Sequence, residues 1–255
     1  MSKTAKKPEK RKIHLISGDK GGTGKSAFAA LMIDYYASKG ISIQAIDGDI
    51  TNPTLSSCYA DALGVVVSDD RDMRDQLNLI FLAAQQDGKT VIVDLPARSE
   101  TILSDWMQAF SVLDLAQQHQ IELIKWWVSD GDPSTIEMFV ASVNAAVAIS
   151  HVLVKNMGLA KPIHWLELDN RREIQDWLTA GKIRMIEFPW MDKNLIARVR
   201  RAETSFSKML EDKKTVDILT QGRIQGYLRQ GFAALEQVDI LQAAAREAAD
   251  AEQAA

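Results

Sequence analysis

The stretch that decides the fold is Gly18-Asp19-Lys20-Gly21-Gly22-Thr23-Gly24-Lys25-Ser26, which lies between an apolar run at 13–17 and an alanine-rich stretch of helical composition from Ala27. Strand, glycine-rich loop, Gly-Lys-Ser and helix is the order of a phosphate-binding loop. Glycines let backbone N–H groups approach an anion, and the following helix adds the positive end of its dipole. We therefore predict a nucleotide site, with Lys25 on the β- and γ-phosphates and the Ser26 hydroxyl on Mg²⁺.

The composition is that of an ordinary globular protein, with 255 residues, 46% of them hydrophobic and 25% charged. A net charge of −4 gives no overall attraction to nucleic acid, so DNA binding would need a local patch. No apolar run is long enough to span a membrane, and no signal-peptide core follows the basic start of the chain. We expect a cytoplasmic protein with a disordered basic tail at 1–12, one domain at 13–245 and an acidic, alanine-rich tail at 246–255.

Apolar runs rich in β-branched residues alternate with helical stretches along most of the chain. The patterns predict strands at 13–17, 41–46, 90–94, 121–128, 151–155 and 183–188, and helices at 71–86, 100–118, 134–147 and 172–180. This alternation predicts an α/β fold, a mostly parallel sheet with helices on both faces, followed by an all-helical C-terminal portion after residue 190. Ligands of such folds bind at the carboxyl ends of the strands.

Two carboxylates follow the strand predicted at 41–46. Asp47 and Asp49 both face the nucleotide cleft if Gly48 allows the chain to bend there. One carboxylate can hold the hydration shell of Mg²⁺ while the other orients an attacking water. The alternative is an ordinary Asp-Gly turn with acidic neighbours.

Two further strands end in polar side chains at the same edge. Asp94 ends the strand at 90–94, which is the Walker B arrangement, with the carboxylate on a magnesium-bound water. The alternative is that Asp94 caps the following helix. Asn156 follows the strand at 151–155 and has the donor and acceptor needed to read an adenine edge. Asparagine after a strand is also a common turn residue.

The loop resembles the deviant Walker A motif of the ParA/MinD superfamily, because Lys20 precedes the Gly-Gly pair. In that family the extra lysine crosses a dimer interface to contact the partner's nucleotide. The resemblance covers roughly residues 12–190 and implies catalytic roles for Lys20, Lys25 and Asp49. It implies a magnesium site at Ser26, Asp47 and Asp94, and it places the nucleotide on Gly21, Gly22, Thr23, Gly24, Lys25, Ser26, Ala27, Asn156 and Pro189.

The chain departs from the family pattern at three places. Asp19 stands where a strict Walker A motif has glycine, and we expect its carboxylate to pair with a cation or to face solvent. Ile50 replaces the proline that usually follows the second aspartate. Arg98-Ser99 stands where the loop after the Walker B aspartate usually has glycine, which makes switching less certain than binding. The Asn52-Pro53-Thr54 segment is similar to ParA-like proteins of plasmid transfer and stability loci.

The resemblance implies a slow ATPase that uses ATP and Mg²⁺, is stimulated by a partner protein and forms a homodimer when ATP is bound. Such a protein would position plasmid DNA or another cargo and associate with the nucleoid. DNA would be bound without sequence readout through phosphate contacts, although the acidic neighbours make a solvated helix face an equal alternative. The arginines concerned are Arg171, Arg172, Arg198, Arg200 and Arg201. The acidic C-terminal tail lacks the features of a membrane-binding helix.

Two other functions are open at this point. One is a nucleotide-dependent switch of a plasmid transfer or stability system that binds little DNA. The other is a small-molecule phosphotransferase similar to dethiobiotin synthetase, which would need a substrate pocket. The histidines lack metal-ligand spacing, and the tryptophans are expected in the core. The tryptophans concerned are Trp126, Trp127, Trp165, Trp177 and Trp190.

Overall fold

The computed structural model describes residues 11–50, 53–70, 73–87, 89–146, 148–212 and 216–238. Its strands pair in parallel in one seven-stranded sheet of order β3-β2-β4-β1-β5-β6-β7. The strands are β1 (Arg11–Ser17), β2 (Ile43–Asp47), β3 (Leu63–Gly64), β4 (Thr90–Asp94), β5 (Ile121–Ser129), β6 (Ser150–Asn156) and β7 (Ile183–Phe188). The predicted α/β fold with a parallel sheet is confirmed.

Helices cover both faces of this sheet. One face packs against α1 (Lys25–Ser38), α2 (Leu55–Cys58), α9 (Lys193–Arg201), α10 (Phe206–Glu211) and α11 (Ile218–Glu236). The other face packs against α3 (Asn78–Asp87), α4 (Glu100–Ala109), α5 (Val112–Gln118), α6 (Pro133–Ala145), α7 (Leu166–Asn170) and α8 (Arg172–Thr179). No helix in the described ranges is long and apolar enough to cross a bilayer. The described part after residue 190 is helical, as predicted.

The strand register places the predicted site residues at one edge of the sheet. In β2 and β4 the last residues, Asp47 and Asp94, are direct neighbours. Asp94 also neighbours Ile16 near the end of β1, and Asn156 at the end of β6 neighbours Phe188 at the end of β7. The carboxyl ends of the strands therefore collect the side chains that the sequence singled out one by one.

Several predicted elements differ from the structure, most clearly one tail, one helix and one strand. Arg11 and Lys12 belong to β1, with Lys12 only 5% exposed, so the tail predicted at 1–12 is two residues too long. The remainder of that tail and the tail at 246–255 lie outside the described residues. The helix predicted at 100–118 is two helices, because Ser111 has φ +49° and interrupts the helical backbone. The two-residue strand β3 was not predicted, since it is too short to show a periodicity.

The expected core position holds for some tryptophans and fails for one. Trp126, Trp127 and Trp165 are at most 1% exposed, whereas Trp190 is 63% exposed because it follows the last strand and lies beyond the sheet. Trp177 is half-buried. The core position is therefore wrong for Trp190.

The buried histidines have hydrogen-bond partners within the chain. His14 in β1 lies between the indole N–H of Trp126, at 3.0 Å, and the Tyr36 hydroxyl, at 2.8 Å. Burial lowers the pKa of His14 to about 3. His14 is therefore a neutral part of the core.

Candidate nucleotide-binding site

The loop from Gly18 to Gly24 joins the end of β1 to the start of α1. Gly24 is the N-cap of α1 with φ +99°, and a Cβ there would lie 2.4 Å from Nδ2 of Asn156. Both the left-handed backbone and the lack of space require glycine. Lys25 begins the helix, is buried, and donates hydrogen bonds from Nζ to the carbonyls of Gly18 (2.8 Å) and Lys20 (3.0 Å). Its ammonium therefore lies inside the curve of the loop, where the phosphates of a nucleotide would bind.

The two carboxylates after β2 are in different environments. Asp47 is 1% exposed; its Oδ2 accepts hydrogen bonds from the backbone N–H (3.0 Å) and hydroxyl (2.8 Å) of Ser56. Its Oδ1 accepts from the N–H of Asp49 at 3.3 Å, while Asp49 itself is half-buried. Gly48 between them donates its N–H to the Asp94 carbonyl at 2.8 Å, and a Cβ on Gly48 would lie 2.8 Å from that oxygen. Glycine at 48 therefore allows β2 and the loop after it to lie against β4.

Asp94 is the most perturbed carboxylate of the site. It is 1% exposed, and neither carboxylate oxygen has a hydrogen-bond partner in the described part of the chain. Burial raises the pKa of Asp94 to about 7, with Asp47 and Asp49 adding to the shift and the nearby Ser26 hydroxyl and Lys25 ammonium opposing it. The alternative in which Asp94 caps α4 is wrong, since its oxygens accept nothing from that helix. A buried carboxylate without partners fits a bound cation.

The donor set around Asp94 suits magnesium rather than a metal enclosed by protein alone. No group of three His, Cys, Asp or Glu side chains within the described ranges could enclose a metal ion. Magnesium in nucleotide sites keeps several waters and takes few protein ligands, with phosphate oxygens supplying others. The Ser26 hydroxyl, with Asp47 and Asp94 acting through water, provides that kind of incomplete set.

Asn156 connects the phosphate-binding loop to the end of β6. Its Nδ2 donates to the Thr23 carbonyl at 2.7 Å, and its Oδ1 accepts from the Gly158 N–H at 2.9 Å. These two bonds use the amide oxygen and one of the two amide N–H groups. A cleft of about 160 Å³ lies beside it, lined by Gly24, Asn156, Pro189, Lys193, Arg200 and Tyr227 among others. The predicted base-lining residues Asn156 and Pro189 thus share one cavity with the loop.

Sequence reasoning missed the partners of Lys20. Its Nζ donates to Oδ2 of Asp130 at 2.8 Å and to Oδ2 of Asp132 at 3.3 Å, and the Lys20 side chain is 43% exposed. Asp130 follows β5 and Asp132 is the N-cap of α6, ahead of Pro133 at the first helical position. Aspartate before proline is a helix-start signal that could have placed these acids at the same edge. Lys20 is thus held by two carboxylates of its own chain.

Asp19 does not behave as expected. Its side chain is half-buried, and its Oδ1 is buried without a hydrogen-bond partner among the residues described. The expectation that this carboxylate pairs with a cation or faces solvent is therefore wrong for Oδ1. Asp19 is one of the three carboxylates that oppose the lowering of the pKa of Lys25 by burial. Its backbone carbonyl accepts the N–H of Arg98 at 3.0 Å.

The five arginines predicted to contact DNA do not lie on one surface. Arg171 and Arg172 begin α8, which packs on the face of α6, whereas the other three lie in α9 on the face of α1. Arg171 is bonded to Glu137, and Arg172 pairs with Asp176 at 3.8 Å. Arg200 lines the cleft beside Asn156. The five arginines therefore lie on helices of two different faces of the sheet, and whether they contact DNA stays a prediction.

A larger cleft lies on the opposite side of the phosphate-binding loop, between α4 and α6. It measures about 750 Å³ and is lined by Asp19, Glu100, Lys125 and Ser142 together with apolar side chains. Its position next to Asp19 is notable because a phosphotransferase would need a substrate pocket near the phosphates.

The comparisons with known proteins agree with this architecture. No protein-family model matches the chain. The chain is 27% identical over 248 residues to protein TraL of Escherichia coli, covering 90% of this chain and 99% of TraL. It is 23% identical over 146 residues to protein MobD of Acidithiobacillus ferrooxidans, covering 57% of this chain and 63% of MobD.

Among solved structures, the chain is similar to the septum site-determining protein MinD of Pyrococcus horikoshii OT3, determined with Mg-ADP. The TM-score is 0.52 at 16% identity, with 92% of this chain and 98% of MinD covered. This likeness concerns the fold. The chain has a MinD-like α/β fold, as the resemblance of its phosphate-binding loop implied.

Proposed function

We propose that this protein binds ATP with Mg²⁺ at the edge formed by β1, β2 and β4, and hydrolyses it slowly. The observation that carries the proposal is the Asp94 carboxylate, buried without a partner in the same site as the Lys25 ammonium. Lys25 would bind the β- and γ-phosphates, and Ser26, Asp47 and Asp94 would hold magnesium. Bound magnesium would neutralise charge on the phosphate oxygens. Asp49, which is half-buried beside Asp47, would orient the attacking water.

We further propose that the ATP-bound form is a homodimer in which Lys20 contacts the nucleotide of the partner subunit. Two properties of Lys20 support this: its exposure, and its contacts with two carboxylates of its own chain that a triphosphate could replace. Ion pairs at an exposed position are weak, so the exchange costs little. The contact with Asp130 and Asp132 then belongs to the monomer.

The proposed cargo is plasmid DNA, handled during partition or transfer with a stimulating partner protein. The sequence likeness to TraL and MobD and the plasmid-type Asn52-Pro53-Thr54 segment support it. A second candidate is a nucleotide-dependent switch of such a system that binds little DNA. The separation of the arginines onto two faces of the sheet favours this second candidate.

The test is light scattering after size exclusion, with ATP and Mg²⁺, for the wild type, Lys20→Ala, Asp49→Ala and the control Lys208→Ala. Lys208 is an exposed lysine on α10, on the other side of the structure from Asp130. We expect wild type and Lys208→Ala to dimerise, Asp49→Ala to form a longer-lived dimer and Lys20→Ala to stay monomeric. A wild-type mass that does not respond to ATP contradicts the dimer.

Adding plasmid DNA to the same samples separates the two candidates. ATP-dependent DNA binding that weakens steeply as salt rises supports the partition function. An ATP-bound dimer that ignores DNA at low salt supports the switch. ATP turnover that requires an added small carboxylate or amine would instead indicate a phosphotransferase using the cleft beside Asp19.

A further inference from the structure

Glu100, whose side chain is 23% exposed, lies at the centre of a polar cluster that the proposed chemistry does not use. It is the first residue of α4, directly after the loop 95–99 that follows Asp94. Its Oε1 accepts from the Ser17 hydroxyl at 2.5 Å, and its Oε2 accepts from Lys125 Nζ at 2.8 Å and from the Ser142 hydroxyl at 3.0 Å. The three donors come from three different elements, β1, β5 and α6.

The Lys125 partner is itself buried deeply. Its side chain is 5% exposed, and its Nζ also donates to the Ser142 hydroxyl at 3.1 Å. Burial alone would raise the pKa of Glu100, but the Lys125 ammonium and the two hydroxyls outweigh burial and lower it. Glu100 of α4 and Lys125 of β5 are therefore a charged pair, and Ser142 of α6 lies beside it.

The Ser17 hydroxyl connects this pair to the phosphate-binding loop. Ser17 ends β1 and precedes Gly18, whose carbonyl accepts a hydrogen bond from the Lys25 ammonium. Two further bonds join the same regions: the Leu95 N–H donates to the Ile16 carbonyl at 3.1 Å, and the Arg98 N–H donates to the Asp19 carbonyl at 3.0 Å. The segment 95–100 is thus bonded to the end of β1 through Leu95 and Glu100, and to the phosphate-binding loop itself through Arg98.

The backbone of the attached loop is under constraint. Arg98 has φ +60°, the left-handed region that residues with a Cβ rarely adopt. Such a conformation persists only where surrounding contacts hold it, and here the contacts are the bond to Asp19 and the anchored start of α4. The contacts around Arg98 therefore fix the geometry of this loop.

Stability alone does not explain the charges. An apolar pair of similar size commonly replaces a buried ion pair without loss of stability. What an ion pair with fixed hydrogen-bond geometry adds is a defined relative position of the elements that carry it.

From this geometry we infer that Glu100 is a positioning residue for ATP hydrolysis. Through Ser17 it sets the segment that follows Asp94 against the end of β1, from which the chain continues into the phosphate-binding loop and Lys25. The inference rests on the proposed function for its link to hydrolysis, and the attachment of the two loops can be tested without it.

The two serines on Glu100 provide a pair of variants for comparison. Ser17→Ala and Ser142→Ala each remove one hydroxyl donor from the same carboxylate, and Ser142→Ala also removes a hydroxyl that accepts from Lys125, so it disturbs the ion pair more. Only Ser17 belongs to the strand that leads into the phosphate-binding loop. A merely structural role of Glu100 predicts that both variants behave alike once equal amounts of folded protein are compared.

We expect Ser17→Ala to lower kcat for ATP about tenfold with little change in KM, while Ser142→Ala keeps the wild-type kcat. We expect Glu100→Gln to behave as Ser17→Ala, with nucleotide affinity within about twofold of wild type in a fluorescent ADP titration. Equal kcat values in the two serine variants overturn the inference.

Hydrogen exchange of the nucleotide-free protein gives the readout that does not depend on hydrolysis. We expect Ser17→Ala to speed exchange of the Leu95 and Arg98 amides, and Ser142→Ala to leave both as in wild type. If wild type binds no nucleotide, the proposed function fails and exchange alone decides whether the loops are attached. Unchanged exchange of these amides in Ser17→Ala contradicts the attachment.

Discussion

Asp94 and Glu100 are carboxylates at the two ends of the loop 95–99, the first buried and the second with a side chain 23% exposed, and the chain treats them in opposite ways. Asp94 has no hydrogen-bond partner in the described part of the chain, and burial raises its pKa to about 7. Glu100 accepts three hydrogen bonds, one from an ammonium, and its pKa is lowered. Asp94 therefore has the environment of a carboxylate that binds a ligand, whereas Glu100 has its hydrogen-bond donors within the chain. Asp94 therefore destabilises the nucleotide-free protein, and Glu100 does not.

The largest expected effect is that of Asp94→Asn. The folded protein binds the Asp94 proton more tightly than the unfolded chain does, so wild-type stability falls as pH rises from about 4 to 7. Removing the charge should raise the free energy of unfolding at pH 8 by up to about 4 kcal/mol and leave pH 4 nearly unchanged. Urea unfolding without nucleotide at both pH values measures this.

The same variant should lose ATP hydrolysis by about a hundredfold or more, because a neutral amide holds magnesium poorly. Stabilisation together with inactivity is the signature of a group kept for function. An Asp94→Asn protein less stable than wild type at pH 8 would show that the carboxylate has an internal partner.

The second effect has the opposite sign. Lys125→Met leaves the partly buried Glu100 carboxylate without its ammonium, which should cost about 2 kcal/mol of stability. Adding Glu100→Gln to Lys125→Met removes the stranded charge and should recover most of that loss. A double-mutant cycle by urea unfolding measures the coupling. If the two losses simply add, the pair contributes nothing as a pair.

These two carboxylates also show which features of the site could be predicted from the sequence. Asp94 was predicted from local pattern alone, because a buried strand ending in aspartate after a phosphate-binding loop is encoded by neighbouring residues. The seven-strand sheet followed from the same local alternation, except for the two-residue β3. Glu100 was not singled out, since its partners Ser17, Lys125 and Ser142 come from three distant elements.

The same limit explains the other outcomes. The partners of Lys20 lie about 110 residues further along the chain, and strand order, which periodicity does not give, brings them beside it. The arginines of α8 and α9 are close in sequence but lie on opposite faces, because β7 passes between the two helices. Spacing along the chain predicts chemistry at strand ends well and surface patches poorly.

A third, smaller effect is the pH dependence of magnesium binding. With a pKa of about 7, Asp94 is mostly ionised at pH 8 and mostly protonated at pH 6. The free Mg²⁺ needed for half-maximal binding of a fluorescent ADP should therefore rise about tenfold from pH 8 to pH 6. The buried histidines do not confuse the result, because burial lowers the pKa of His14 to about 3 and of His151 to about 4.

Glu100→Gln provides the control for that titration. The wild-type Glu100 stays ionised over this range because its pKa is lowered. The variant should consequently show the same tenfold dependence on pH as wild type. If the pH dependence disappears in Glu100→Gln, the group that titrates is Glu100 and not Asp94.

The smallest effect on stability is expected at the other ammonium–carboxylate contact of the site, that of Lys20 with Asp130 and Asp132. Unlike the buried Lys125 pair, this contact is at a side chain 43% exposed, where water and salt screen the charges. Lys20→Ala should therefore leave the urea midpoint of the nucleotide-free protein unchanged while abolishing the ATP-dependent dimer.

Asp130→Asn with Asp132→Asn should release Lys20 and make the dimer form at lower ATP concentration, since the internal competitor is gone. A dimer that instead needs more ATP after these substitutions would mean that the two aspartates hold Lys20 in the position the partner's nucleotide requires, so that the contact belongs to the dimer rather than to the monomer.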